Sequence, residues 1–274
     1  MSLIKNKESD NFYPIEIEGT NWHCDYLWST HRGCPFDCVY CSSKRLNIRF
    51  GGDPTVIRRL KGEWKGKVFP LRELPSGGVF INPFCDIMTL PSDDIKLILK
   101  NCGYSQWNES EPATCIFQTK NPIKYFDYLD MIPDNSWLGT TIETDIYDGY
   151  SRLEITKSPH TWNRCYHMID LRKDYADRFK LFVTIEPIMD FELPRLLEWM
   201  ERIKPDLIFI GANTSKITLP EPTKDELQDL IYALYDIVGM PNVYLKSNIR
   251  RIIPELYDGW KLAEEQNKCQ IMNL

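Results

Sequence analysis

The sequence predicts an α/β protein built on a parallel sheet. Short apolar runs rich in β-branched and aromatic residues recur along the chain, and stretches of ten or more residues with helical character separate them. That alternation is what βαβ crossovers produce, because parallel neighbours need a long connection between them. The closing residues of the runs are unusually polar, and no low-complexity linker interrupts the series, so one domain is expected over residues 1–274. Periodicity alone leaves two architectures open, a barrel-like sheet and a doubly wound open sheet.

Residues 1–25 read as an irregular N-terminal arm, rich in Asn, Glu and aromatic residues. Tyr26–Thr30 is a short first strand that delivers a cysteine-bearing loop. Residues 42–76 are basic and punctuated by Gly and Pro, with a short helix expected around Thr55–Leu60. Gly78–Asn82 is the second strand, and Ser92 caps a helix to about Cys102 with Asp93 and Asp94 in its first turn. Thr114–Thr119 follows, and Pro122 opens a helix over Ile123–Met131 at a position that suits proline. Trp137–Ile142, Lys180–Ile185, Leu207–Gly211 and Val243–Lys246 complete the strands, with helices expected near 161–175, 193–203 and 224–238 between them. A core over residues 26–250 and a C-terminal extension over 251–274 result.

The loop after the first strand reads Gly33-Cys34-Pro35-Phe36-Asp37-Cys38-Val39-Tyr40-Cys41. Three thiols this close in sequence point to a metal. A zinc site would need a fourth ligand, usually from a second CxxC or HxxxH pair, and none follows. An iron–sulfur cluster is the better reading, because thiolates are its usual ligands and three of them leave one iron of a 4Fe-4S cluster open to chemistry.

CxxxCxxC with an aromatic residue before the third cysteine resembles the signature of radical S-adenosylmethionine (SAM) enzymes. The resemblance implies a partial (β/α)6 TIM-type barrel, a 4Fe-4S cluster on Cys34, Cys38 and Cys41, and SAM chelated to the open iron. Reduction by a flavodoxin- or ferredoxin-type donor would cleave SAM to a 5′-deoxyadenosyl radical that abstracts hydrogen from substrate. Further segments sharpen it: Phe80-Ile-Asn-Pro-Phe-Cys-Asp86, Phe117-Gln-Thr-Lys-Asn-Pro122, Trp137-Leu-Gly-Thr-Thr-Ile-Glu143 and Thr184-Ile-Glu-Pro187. Together they resemble a phage-associated radical SAM family that is itself similar to spore photoproduct lyases. One departure stands out. Those lyases place a hydrogen-donor cysteine a few residues before an aspartate, whereas Cys85 here directly precedes Asp86.

In parallel α/β folds functional groups gather at the carboxyl ends of strands. Under the resemblance, Lys120 pairs with the methionyl carboxylate, Glu143 accepts from the ribose with Thr141 beside it, and Asn213 bonds ribose or adenine. Tyr40 lies near the adenine, and Asn82 joins the cofactor-binding set. Cys85 is either a small core residue or a thiol that returns a hydrogen atom to a product radical. Glu186 is either a structural acceptor or the group that orients a substrate amine or hydroxyl. Cys24, Cys102, Cys115, Cys165 and Cys269 have no paired spacing and read as structural thiols, and His23 and His31 are either ordinary loop histidines or, beside the cluster arm, a proton shuttle or phosphate partner.

Composition bounds the rest. Hydrophobic residues at 43% and charged residues at 26% exclude a disordered chain. Nine cysteines without an apolar leader point to a reducing cytoplasm, of a cell or of a phage-infected host, and no run has membrane length. The net charge of -6 argues against a strongly cationic nucleic-acid binder. Yet Lys44, Arg45, Arg49, Arg58, Arg59, Lys61, Lys65, Lys67 and Arg72 follow the cysteine loop directly, and Trp22, Trp28, Phe36, Phe50 and Trp64 offer stacking surfaces. Together with this basic run, the family resemblance implies a nucleobase in DNA or a nucleotide as substrate, in phage DNA hypermodification or repair by an isomerase- or lyase-type reaction. A small molecule or peptide is the second choice, and a non-catalytic cluster or zinc module the third.

Overall fold

The computed structural model describes residues 12–14, 26–49, 51–61, 77–105, 113–146 and 155–271. Most of the expected N-terminal arm lies outside them, as do Trp22, His23, Cys24, Phe50, Trp64, Lys65, Lys67, Arg72 and the side chain of Cys269.

Ten strands and six α-helices follow in chain order among these residues. They are β1 (Phe12–Pro14), β2 (Tyr26–Trp28), β3 (His31–Arg32), α1 (Ser42–Arg49), β4 (Arg58–Arg59), β5 (Gly77–Ile81), α2 (Ser92–Ser105), β6 (Ala113–Gln118), β7 (Trp137–Thr141), α3 (Thr161–Tyr175), β8 (Lys180–Ile185), α4 (Leu193–Ile203), β9 (Leu207–Ile210), α5 (Lys224–Val238), β10 (Val243–Leu245) and α6 (Pro254–Ile271). The main sheet runs β1-β2-β5-β6-β7-β8-β9-β10. Its neighbours from β2 to β10 are all parallel, while β1 joins β2 antiparallel.

That order decides between the two architectures the sequence left open. A doubly wound sheet reverses its strand order midway, which puts helices on both faces; here the order is monotonic, so successive right-handed crossovers place the helices on one face. The sheet curls into an open half-barrel with seven parallel strands.

Alternation along the strands separates the two faces. Val79, Ile81, Leu138, Leu181, Val183, Ile208 and Ile210 pack with helix residues such as Ile98, Met168, Leu196 and Leu230 in the larger core. Their neighbours Ile116, Trp137, Phe182, Leu207 and Phe209 form a second cluster on the concave side. Gly139 is required there, since a Cβ would lie 2.2 Å from the Phe182 ring. The apolar cluster closes the floor of the half-barrel and leaves its carboxyl end open.

All seven expected strands are present, with ends shifted by a residue or two. Two expected helices are not. Thr55–Leu60 instead turns on Asp53, whose side chain accepts from the Thr55 amide and hydroxyl, and then pairs Arg58–Arg59 with His31–Arg32. After Pro122 only a 3-10 helix forms, Pro122–Asp127, because Tyr125 turns inward to donate to the carbonyls of Phe117 and Gly139. No helix among the described residues is long and apolar enough to cross a membrane.

Candidate active site

At the carboxyl end of the strands lies a cavity of about 350 Å³. Its wall includes Cys34, Cys38 and Cys41 together with Tyr40, Asn82, Cys85, Lys120, Thr141, Glu186 and Asn213. The cysteine loop enters through Gly33 at φ 86°, where a Cβ would also lie 2.1 Å from the Val56 carbonyl oxygen. Cys34 N donates to the Pro54 oxygen at 2.8 Å and Cys41 N to the Cys38 oxygen at 3.1 Å. Asp37 ties the loop to Lys44 at 2.5 Å and to Lys157 at 3.2 Å. All three cysteines are free thiols, and burial, followed by the charge of Asp86, pushes Cys34 up to about 12.

A strap at residues 155–160 clamps the loop from the other side. Val39 N donates to the Ile155 oxygen at 2.9 Å, and Lys157 N to the Phe36 oxygen at 2.7 Å. The Thr156 hydroxyl lies 3.1 Å from the Cys38 sulfur and 2.9 Å from the Ser158 hydroxyl. Arg164, in the first turn of α3 and fully buried, donates to Ser158 Oγ at 2.5 Å, to the Thr141 carbonyl at 2.8 Å and to Glu143 Oε2 at 2.9 Å.

Glu143 therefore stands one layer behind the cavity, with no exposure. Its Oε1 accepts from the Tyr40 hydroxyl at 2.6 Å and from Lys120, whose ammonium also donates to Tyr40 at 3.0 Å and faces its ring. Burial alone would raise the Glu143 carboxyl; Arg164 and then Lys120 outweigh it and hold it down at about 2. The group is an anion locked between two cations.

Between loop and sheet, Asn82 adopts φ 54° and is 2% exposed. Its Oδ1 accepts from Thr30 N at 2.8 Å and His31 N at 3.3 Å, which fixes the orientation of the amide. The Nδ2 is buried and has no partner. An unmatched buried amide donor costs about 1–3 kcal/mol, so in this wall it marks the place of an acceptor from outside the chain. Cys85 is buried beside it, its thiol raised well above the ordinary value by burial and then by Cys34 and Asp86. Asp86 accepts from the Thr119 hydroxyl and the Lys120 amide, each at 2.6 Å, and so joins the ends of β5 and β6.

Across the cavity, Glu186 bonds Lys246 Nζ at 2.5 Å and Asn248 Nδ2 at 2.7 Å. Gly211 makes room for it, since a Cβ there would lie 2.5 Å from Glu186 Oε1. Unlike Glu143, this carboxylate and its lysine are about a quarter exposed, at 25% and 26%.

Neither a family model nor a curated protein matches the sequence. Solved structures do match. Spore photoproduct lyase complexed with dinucleoside spore photoproduct gives a TM-score of 0.58 at 12% identity, covering 88% of this chain and 79% of that one. A mutant of that lyase with bound AdoMet and dinucleoside spore photoproduct gives 0.56 at 12% identity, with the same coverage. The two proteins share a fold. The open half-barrel is thus the partial TIM barrel of that lyase.

Of the site residues expected from the sequence, the cavity gathers all but Glu143. Thr141 is held by Gln118 Nε2 at 3.1 Å. Asn213 turns its side chain into its own loop, donating to the Ile217 oxygen at 2.7 Å and accepting from Ser215 N at 2.8 Å. Sequence reasoning missed Thr156, Ser158 and Arg164. A charged residue in the first turn of an amphipathic helix looks like any solvated one, and the strap has no periodicity.

Proposed function

We propose that the chain is a radical SAM enzyme acting on a nucleobase or modified nucleotide, in DNA repair or in phage DNA hypermodification. One observation carries the reading: three free thiols from one loop and the polar ends of successive strands face a single cavity. The donor set fits a cluster better than one ion. All three donors are thiols from one loop, the usual ligands of a 4Fe-4S cluster, in which each thiolate takes its own iron. Cys34, Cys38 and Cys41 would hold the cluster, and the unpartnered Asn82 amide and the cavity-facing Lys120 would meet SAM.

When bound and reduced, that pair supplies the radical chemistry; the chain supplies position and exclusion of water. Lys120 has three donors and spends two on Tyr40 and Glu143, which leaves one for the methionyl carboxylate. Glu143 acts through Tyr40 and Lys120, fixing both. Thr141 and Asn213 line the same wall for the nucleoside part of SAM. Cys85, a thiol lining the cavity beside the cluster loop, would return a hydrogen atom to a product radical. Glu186, steadied by Lys246 and Asn248, orients a substrate amine or hydroxyl.

Exposed Arg45, Arg49 and Lys61 near the loop favour a phosphate-bearing substrate. A small-molecule or peptide substrate has its own support, because Lys44 and Arg59 of the same run are matched by Asp37 and Asp94. Anaerobic reconstitution followed by reduction with SAM tests the reading, with 5′-deoxyadenosine release as the expected outcome and stimulation by modified thymidine-containing DNA beyond that. A colourless, zinc-loaded protein inert to SAM would overturn it. Release that DNA leaves unchanged, with no salt-dependent DNA binding, would move the substrate to the small-molecule class.

A further inference from the structure

We infer that Arg164 is a positioning residue that sends a directed chain of hydrogen bonds through Ser158 and Thr156 onto the sulfur of Cys38. The inference rests on the cluster reading above. An arginine guanidinium has no acceptor atom, so the polarity of every link it starts is fixed. Arg164 Nη2 donates to Ser158 Oγ at 2.5 Å. The Ser158 proton is then available to Thr156 Oγ1 at 2.9 Å, which also accepts from Ser158 N at 3.1 Å.

With both lone pairs of Thr156 engaged, its own proton has two takers. One is the Phe36 carbonyl at 3.1 Å, already served by the Lys157 amide at 2.7 Å. The other is Cys38 Sγ, also at 3.1 Å. A cysteine that ligates iron is an acceptor only, so the hydroxyl turns to the sulfur. Cooperative polarisation along such a chain strengthens its last bond.

Two consequences follow from the same guanidinium. A hydrogen bond to a ligating sulfur withdraws charge from it and raises the potential of the cluster. Meanwhile the Nη1 of Arg164 holds Glu143 Oε2 and the Thr141 carbonyl, on the wall that carries Lys120 and Tyr40. One buried cation therefore fixes the cluster loop relative to the wall assigned to SAM, and sets how much charge Cys38 keeps.

The test is the midpoint potential of the anaerobically reconstituted full chain, with iron and sulfide content measured alongside. Thr156→Val removes the hydroxyl at nearly constant shape. The expected result is full iron loading with a more negative potential, on the order of a tenfold loss in the reduced fraction at fixed poise, about 59 mV for one electron. Thr156→Ser should restore the wild-type value, and Ser158→Ala should shift it in the same direction by less. Equal potentials in wild type and Thr156→Val at equal iron content overturn the inference alone. A wild-type chain that takes up no iron and sulfide overturns the cluster reading and the inference with it.

Discussion

Thr141-Ile142-Glu143 and Thr184-Ile185-Glu186 spell the same tripeptide at the ends of neighbouring strands, and Thr141 and Thr184 are register partners. The two glutamates nevertheless end in opposite situations. Glu143 has no exposure and is enclosed by Arg164, Lys120 and Tyr40; Glu186 is 25% exposed, faces the cavity and shares a lysine and an amide with solvent. What separates them is what approaches from elsewhere. The helix after β7 brings a buried arginine to Glu143, whereas Glu186 waits for strand β10, two places along the sheet. Ile142 N still pairs with the Thr184 oxygen at 2.9 Å, but the Glu143 oxygen next accepts from Met189 N at 3.0 Å, so the register shifts past Glu186. A fixed anion organises a wall, and a half-open one can meet a ligand.

The sharpest way to break this comparison is Arg164→Met. It leaves the Glu143 carboxylate buried without its arginine, and removing one partner of a buried pair costs about 3–5 kcal/mol. Denaturant midpoints measured on the purified chain check it. A loss under about 1 kcal/mol would mean that Glu143 does not depend on the arginine and that the two glutamates are alike after all.

Glu143→Gln is the next step down and carries a pH signature. The folded carboxyl sits at about 2 against an ordinary 4.5, so its ionisation adds stability that is fully present above about pH 4.5 and is lost as pH falls towards 2. At neutral pH the amide variant should be less stable by about 1–3 kcal/mol, since a charged hydrogen-bonded partner is lost. The gap to wild type should then narrow between pH 4.5 and pH 2. A gap that is constant with pH would show that the Glu143 carboxyl keeps its ordinary value in the fold.

How much of this the sequence made legible follows from the same residues. The strands were readable because Val79, Ile81, Val183, Ile185, Ile208 and Ile210 lie in short β-branched runs that a parallel sheet buries. The cysteine loop was readable because thiols at three- and two-residue gaps have few other uses. Register was not: nothing in Thr-Ile-Glu tells which copy will meet an arginine twenty-one residues later in one case and a lysine sixty residues later in the other. The Thr55–Leu60 helix failed for a local reason, since Asp53 and Pro54 favour a turn that the hairpin with His31–Arg32 then fixes.

The smallest stability effect belongs to Glu186→Gln, and it sharpens the comparison because its functional effect should be the larger one. The pair with Lys246 is partly solvated, and such pairs contribute about 0.2–1 kcal/mol. The amide oxygen keeps one of the two donors, Lys246 or Asn248, and the site is open enough for solvent to take up the other, so the denaturant midpoint should move little. What changes is the charge offered to the cavity. If Glu186 orients a substrate amine or hydroxyl, the variant keeps substrate-independent deoxyadenosine release near the wild-type level and loses most of the stimulation by substrate. Stability loss comparable to that of Glu143→Gln, with stimulation intact, would make Glu186 a second structural anion.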